Sequence, residues 1–393
     1  MDSAPPACGH PTGKVVHPPR ESGAPTMVEP PAPVKRRQWF DRSALRADLR
    51  AAVPDATAAL VITAGVFAWL YARVSSGTSM TLQVMPDLAD ADRYWMYWLC
   101  QAFGWSGLLW AWITVVLGLV RSSARPGWLR VPAARIERWH RTTSLTTIGL
   151  MFAHAAMFFA ELVRTNQDGL GWAGRLGTSF AEVFVPGFYS SGTGRIAILI
   201  GLLALYLAIP LGLAYYLRRS TGARLWRALH RFVIVVYALS VWHTLLYGTN
   251  VWYDGAFRTL VWLLQLPVAA LLLARLLAPA RRGERLHLRD AAGRPGAVPL
   301  AARLAGRIAA ASVVVGLLVV AATGRDGGRT PGVAGAGLNV SQAQVWAGLV
   351  VLLVALCAVT YRLRPARRAP APEDAGAAAG SGAAAPGEGR ERH

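Results

Sequence analysis

The sequence predicts an all-α integral membrane protein, a polytopic helix bundle with a six-helix cofactor-binding core and a C-terminal two-helix hairpin. Three observations predict it. Of 393 residues, 54% are hydrophobic, and the mean hydropathy is +0.34. Eight apolar runs are each long enough, or nearly so, to cross a hydrocarbon core about 30 Å thick. Two of these runs carry pairs of histidines, and ionisable residues inside membrane spans are rare and usually functional.

In chain order, residues 1–52 are rich in Pro and charge and are expected to form a disordered, basic cytoplasmic tail. The first long apolar run begins near residue 56, so no cleavable signal peptide is expected. Spans are predicted near 53–74, 95–120, 142–163, 194–217, 231–248 and 257–279, which together make a core over 53–280. A basic linker at 281–306 follows, then a transmembrane hairpin over 307–361, with spans near 307–323 and 345–361. Residues 362–393, including APAPEDAGAAAGSGAAAPGEG, are low in complexity and too polar to pack, which predicts a second disordered cytoplasmic tail.

Topology follows from where the basic residues fall. Both tails and the connections after the second, fourth and sixth spans hold 33 Lys and Arg, against 8 on the other side. The positive-inside rule then places both termini in the cytoplasm. The net charge of +20 is explained by these short juxtamembrane segments, and no nucleic-acid-binding module accompanies it. Cys8, Cys100 and Cys357 are far apart, so neither a disulfide framework nor an iron–sulfur cluster is expected. Arg outnumbers Lys 39 to 2, and with abundant Ala, Gly and Pro this points to a bacterial plasma membrane.

The chemistry lies in His140 and His154, fourteen apart on the third span, and His230 and His243, thirteen apart on the fifth. A rise of about 1.5 Å per residue separates the histidines of each helix by roughly 20 Å. Each helix thus offers one imidazole near each face of the membrane. Neutral imidazole is a good axial ligand for haem iron, so pairing by depth joins His140 with His230 and His154 with His243. Fourteen residues at about 100° each leave the first pair on one helix face, about 40° apart. Thirteen leave the second pair about 140° apart, a misfit that a kink or bulge in the fifth span has to absorb.

Flanking residues suggest supporting roles. Arg138, Arg141, Arg227 and Arg231 lie beside the cytoplasmic pair, where guanidinium groups suit haem propionates; Arg141 and Arg231 are the foremost cofactor-binding candidates. Positive-inside anchoring explains the same residues equally well. Trp139 reads as an interfacial tryptophan and Trp242 as a packing partner for porphyrin. The segment from Arg164 to Gly192, with Trp172, Phe180, Phe184, Phe188 and Tyr189, is the longest on the outer side and is expected to cap the outer site. Gln265 reads as a helix-packing contact.

The stretch GTGRIAILIGLLALYLAIPLGLAYYLRRSTGARLWRALHRFVIVVYALSVWH resembles the ferric reductase-like transmembrane domain. That domain is shared by ferric reductases, NADPH oxidases and the haem subunit of the bacterial methionine sulfoxide reductase system. The resemblance rests on Gly194 with Ile196 and Ala197, a basic loop ending in Trp226, Leu229-His230-Arg231, Tyr237 and His243, and the two histidine pairs complete it. It covers roughly residues 53–280. It implies two haem b groups, one held by His140 and His230 on the cytoplasmic side and one by His154 and His243 on the outer side. It further implies electron flow from a cytoplasmic donor to an outer acceptor such as a ferric chelate, oxygen, a quinone or a redox protein.

The C-terminal part departs from that pattern. After the sixth span the linker contains no GxGxxG and is too short for a dinucleotide domain. No FAD or NADPH site is expected, and a separate flavoprotein reductase or quinol has to supply electrons. Two alternatives compete with an electron-transfer oxidoreductase subunit. One is a quinol-linked cytochrome b of the respiratory type, whose ligands lie on the second and fourth helices with a PEWY sequence that is absent here. The other is a non-catalytic membrane scaffold or transporter subunit that keeps the fold.

Overall fold

The computed structural model describes residues 39–123, 130–190, 194–252, 255–277 and 340–363, with scattered positions between 301 and 315. The expected tails at 1–38 and beyond 363, most of the basic linker and most of the span at 307–323 lie outside the described residues. Among the described residues all regular structure is helical. Seven segments are long and apolar enough to cross a membrane: Val53–Ser75, Trp95–Ser122, Ala133–Thr165, Gly194–Thr221, Ala223–Tyr247, Ala256–Leu277 and Gln342–Tyr361. The protein is an all-α polytopic membrane protein.

The first helix, α1 (Arg42–Ala51), corrects part of the expectation for residues 1–52. Its residues are polar, yet Asp41 caps it by accepting the Ala44 N–H at 3.0 Å, one of the unpaired donors of a helix start. Asp48 faces inward and accepts the Tyr216 hydroxyl at 3.0 Å. Partners, not apolarity, order this segment.

α2 (Val53–Ser75) opens on Pro54 in its first turn. α3 (Trp95–Ser122) and α4 (Ala133–Thr165) form the most extensive helix pair. They run antiparallel, as the contacts of His140 near the end of α3 and of His154 near its start show. Glycines on α3 face α4: Gly107 lies against Leu150 and Met151, Gly104 against His154 and Gly118 against His140, which lets the two helices approach. Asp55 joins all three helices, accepting from Trp110 Nε1 at 3.1 Å and Thr146 Oγ1 at 2.5 Å.

α5 (Trp172–Phe184) is a short amphipathic helix. Trp172, Leu176 and Phe180 are exposed, while Ser179 and Val183 are buried. α6 (Gly194–Leu213) contains Pro210 and passes into a 3₁₀ turn at Ala214–Leu217. A proline removes a helical hydrogen bond, which fits tightening at this point.

After the one-turn α7 (Arg218–Thr221), Gly222 at φ +84° reverses the chain into α8 (Ala223–His230). Arg224, Trp226 and Arg227 were expected in a loop; they lie on this helix instead. α9 (Val233–Tyr247) follows a break of two residues. α10 (Ala256–Leu263) and α11 (Gln265–Leu277) make the sixth span. The Leu264 carbonyl between them accepts Trp112 Nε1 at 2.6 Å.

The last described helix, α12 (Gln342–Leu363), carries an inward stripe at Gln342, Val345, Leu349, Leu352, Leu356 and Val359. Steps of three and four place these on one face. Val345 and Leu349 pack with Ala197, Ile200 and Leu203. The opposite face, with Val350, Val351 and Val354, is exposed.

Candidate functional site

The four histidines meet in two facing pairs. The His140 and His230 ring centres lie 5.7 Å apart with planes at 85°, and those of His154 and His243 lie 6.0 Å apart at 74°. The structure thus brings together His140 with His230 and His154 with His243.

Three of the rings are held by the same device. His140 Nδ1–H donates to the Thr114 carbonyl at 2.9 Å, His154 to Cys100 at 2.8 Å and His243 to Ala197 at 2.7 Å. A carbonyl only accepts, so Nδ1 carries the proton and Nε2 keeps its lone pair. Four residues after each accepting carbonyl stands a glycine: Gly118, Gly104 and Gly201. A Cβ there would come within 3.0 Å of the His140 ring, 3.1 Å of the His154 ring and 2.7 Å of the His243 ring. In a helix the side chain at i+4 lies over the carbonyl at i, so glycine opens the path to it.

The sequence reading missed these glycines and carbonyls. A signal was present: Gly104 and Gly118 repeat the fourteen-residue step of His154 and His140 on the antiparallel neighbour.

His230 is held differently. Its Nδ1 is buried with no hydrogen-bond partner among the described residues. The ring stacks on Trp226, 5.6 Å between centres and 25° between planes. Arg231, Phe232 and Val235 donate their N–H groups three residues back, to Ala228, Leu229 and Phe232. Tighter 3₁₀ winding turns each residue about 20° further than an α-helix. This break lies between His230 and His243, where the misfit of about 140° has to be absorbed.

The two pairs sit in different surroundings. Beside His154 and His243 is a partly open apolar cavity of about 150 Å³, its walls including Phe103, Trp105, Leu108, Met151, Phe158 and Leu205. Val183 of α5 also lines it. Phe184, on the same helix, packs on Phe159 with ring centres 6.0 Å apart. The space beside His140 and His230 is smaller, about 30 Å³, and more polar, with Arg121, Glu137, Arg141 and Tyr215 in its wall.

Arg141 pairs with Asp48 at 3.3 Å and Glu137 at 3.5 Å, and donates to Tyr215 Oη at 3.1 Å. Arg121 pairs with Glu137 at 3.0 Å; the sequence reading did not single it out. Arg231 is exposed, as are Arg138, Arg227 and Trp139, and none of them lines this space. Trp242 packs against the α6 cluster of Ala197, Leu199 and Ile200. Gln265 accepts the Tyr237 hydroxyl at 2.7 Å, a contact between spans.

Each pair offers two nitrogen donors. Among the described residues no group of three or more His, Cys, Asp or Glu side chains is placed to hold a metal ion. Protein-only transition-metal sites take three or four such ligands. Two opposed imidazoles suit an ion whose remaining positions a planar cofactor fills.

Residues 103–241 match the family described as ferric reductase like transmembrane component. The match includes His140, His154 and His230 and ends two residues before His243. The chain matches no curated protein and no solved structure at a significant level.

Proposed function

We propose that this chain, whose residues 103–241 form a ferric reductase-like transmembrane domain, is the membrane electron-transfer subunit of an oxidoreductase, holding two haem b groups. His140 with His230 and His154 with His243 supply the axial ligands. The observation that carries the reading is the spacing of the two pairs. Two metal–imidazole bonds of about 2 Å plus the half-width of each ring sum to roughly 6 Å, and the ring centres stand 5.7 and 6.0 Å apart.

The chain's own residues support the fit. Backbone acceptors on three Nδ1 groups fix the tautomer that leaves Nε2 free to bind metal, as ligating histidines commonly require. The wall beside His154 and His243 is largely apolar, which suits a porphyrin face. Arg141 and Arg121 stand where propionate carboxylates would meet guanidinium, a role that Arg121 fills better than the exposed Arg231. Bound there, haem would supply a one-electron couple, which suits electron transfer.

The excess of basic residues beside His140 and His230 puts that pair on the cytoplasmic side of a bacterial plasma membrane, with both termini inside. Electrons then enter from a separate flavoprotein reductase or from quinol. They leave past His154 and His243, near α5, to a ferric chelate, oxygen, a quinone or a redox protein.

The test is the dithionite-reduced minus oxidised spectrum of the purified chain, with haem quantified per polypeptide. Two low-spin b haems are expected, with one lost in His154→Ala and one in His230→Ala. A colourless protein expressed with ample haem overturns the reading.

A further inference from the structure

His230 stands apart from the other three histidines in two ways. No backbone carbonyl among the described residues holds its Nδ1, and the helix that carries it ends at the histidine itself. What fixes the ring therefore has to be packing of the short α8 on its neighbours.

Those neighbours include α12, which packs against both α8 and α6. Leu352 and Leu356 of α12 join Leu229 and Phe232 on one apolar cluster built from Ala204, Leu207, Ala208, Leu211 and Val236. Leu229 directly precedes His230, and Phe232 is the residue from which α9 restarts. The chain on either side of the histidine is thus pressed onto the same surface that α12 covers. The His243 ring needs no such support, because the Ala197 carbonyl already holds it.

We propose that α12 is the positioning element of the His140 and His230 site: Leu352 and Leu356 clamp the broken fifth span so that His230 faces His140. This assigns a role to the last described helix, which the six-helix core does not explain. It rests on the haem reading above and goes beyond it.

The test compares Leu352→Ala/Leu356→Ala with Val350→Ala/Val354→Ala, which changes the exposed face of the same helix, in the full-length haem-loaded protein. Haem per polypeptide and the carbon monoxide difference spectrum of the reduced protein are measured for each. Only a haem that has lost an axial imidazole takes carbon monoxide. The inward double variant is expected to lose about half of its haem, or to have about half become carbon monoxide-reactive, while the other half keeps its low-spin spectrum. The exposed-face variant is expected to match wild type. Single Leu352→Ala and Leu356→Ala variants are expected to show the same one-site effect more weakly.

Two unchanged haems in the inward variants overturn the proposal and leave the haem reading intact. Parallel loss of both haems also overturns it, since α12 would then be a general structural helix. A wild-type protein without haem overturns the haem reading, and this proposal with it.

Discussion

The His243 imidazole donates Nδ1–H to the Ala197 carbonyl at 2.7 Å, and a Cβ on Gly201, one turn later on α6, would lie 2.7 Å from that same nitrogen. The acceptor and the gap that exposes it are therefore one feature of the helix. Gly201→Ala should force the ring off its acceptor. Loss of such a partner typically weakens metal binding about 10–100-fold, so the variant should purify with about one haem in place of two. Gly65→Ala is the control, because nothing lies within 4 Å of its Cβ. Full haem content in Gly201→Ala would show that the anchor is dispensable.

Gly118→Ala should act on the other site. Its Cβ would stand 3.0 Å from Cε1 of His140, a ring that is 8% exposed and has little room to yield. The expected loss is again one haem. The survivor should be the one removed by His154→Ala, so combining the two substitutions should leave a protein without haem. Retention of one haem in the double variant would mean that Gly118 serves packing alone.

How far the sequence could be read is clearest on the fifth span. Hydropathy places the span, and spacing pairs His230 with His140 by depth. Rotation about the axis is not legible, because it depends on whether a few backbone bonds close at i−3 or i−4. The break after His230 is such a case: nothing in LHRFVIVV marks it as Pro or Gly would. α1 was missed for a related reason. Its order comes from Asp41, Asp48 and partners about 170 residues away, such as Tyr216, which local composition does not reveal. Gly104 and Gly118 were legible in principle, but their meaning needs the antiparallel register of α3 and α4.

Sidedness is checked by cysteine accessibility. Asp168, between α4 and α5, and Arg224, on α8, are exposed at opposite ends of the bundle. In a background with Cys8 and Cys357 changed to Ser, a membrane-impermeant maleimide should label Asp168→Cys in intact cells. Arg224→Cys should label only after permeabilisation. The reverse pattern would invert the proposed direction of electron flow.

Tyr237 and Gln265 form a polar contact between the fifth and sixth spans, 2.7 Å long, and Gln265 Nε2 is satisfied separately by the Val261 carbonyl at 2.9 Å. Hydrogen bonds between membrane helices are worth on average about 0.6 kcal/mol. Tyr237→Phe should therefore lower thermal stability by only a degree or two and leave both haem spectra unchanged. A change in either spectrum would point to a role in the site.

Asp48 should matter more, because two partners depend on it. Its carboxylate accepts the Tyr216 hydroxyl at 3.0 Å and pairs with Arg141 at 3.3 Å, and its side chain is 12% exposed. Arg141 keeps Glu137 and Tyr215 when Asp48 is removed, so the loss should fall short of that for an isolated buried ion pair. Asp48→Ala is expected to cost about 1–3 kcal/mol, the usual effect of leaving a buried hydrogen-bonding group unmatched. Proteolysis within residues 42–51 should also quicken as α1 lifts from the bundle. In a double-mutant cycle with Arg141→Gln, the two effects should overlap by roughly 1 kcal/mol. Strict additivity would mean that α1 is held by the Tyr216 contact and that the ion pair contributes nothing.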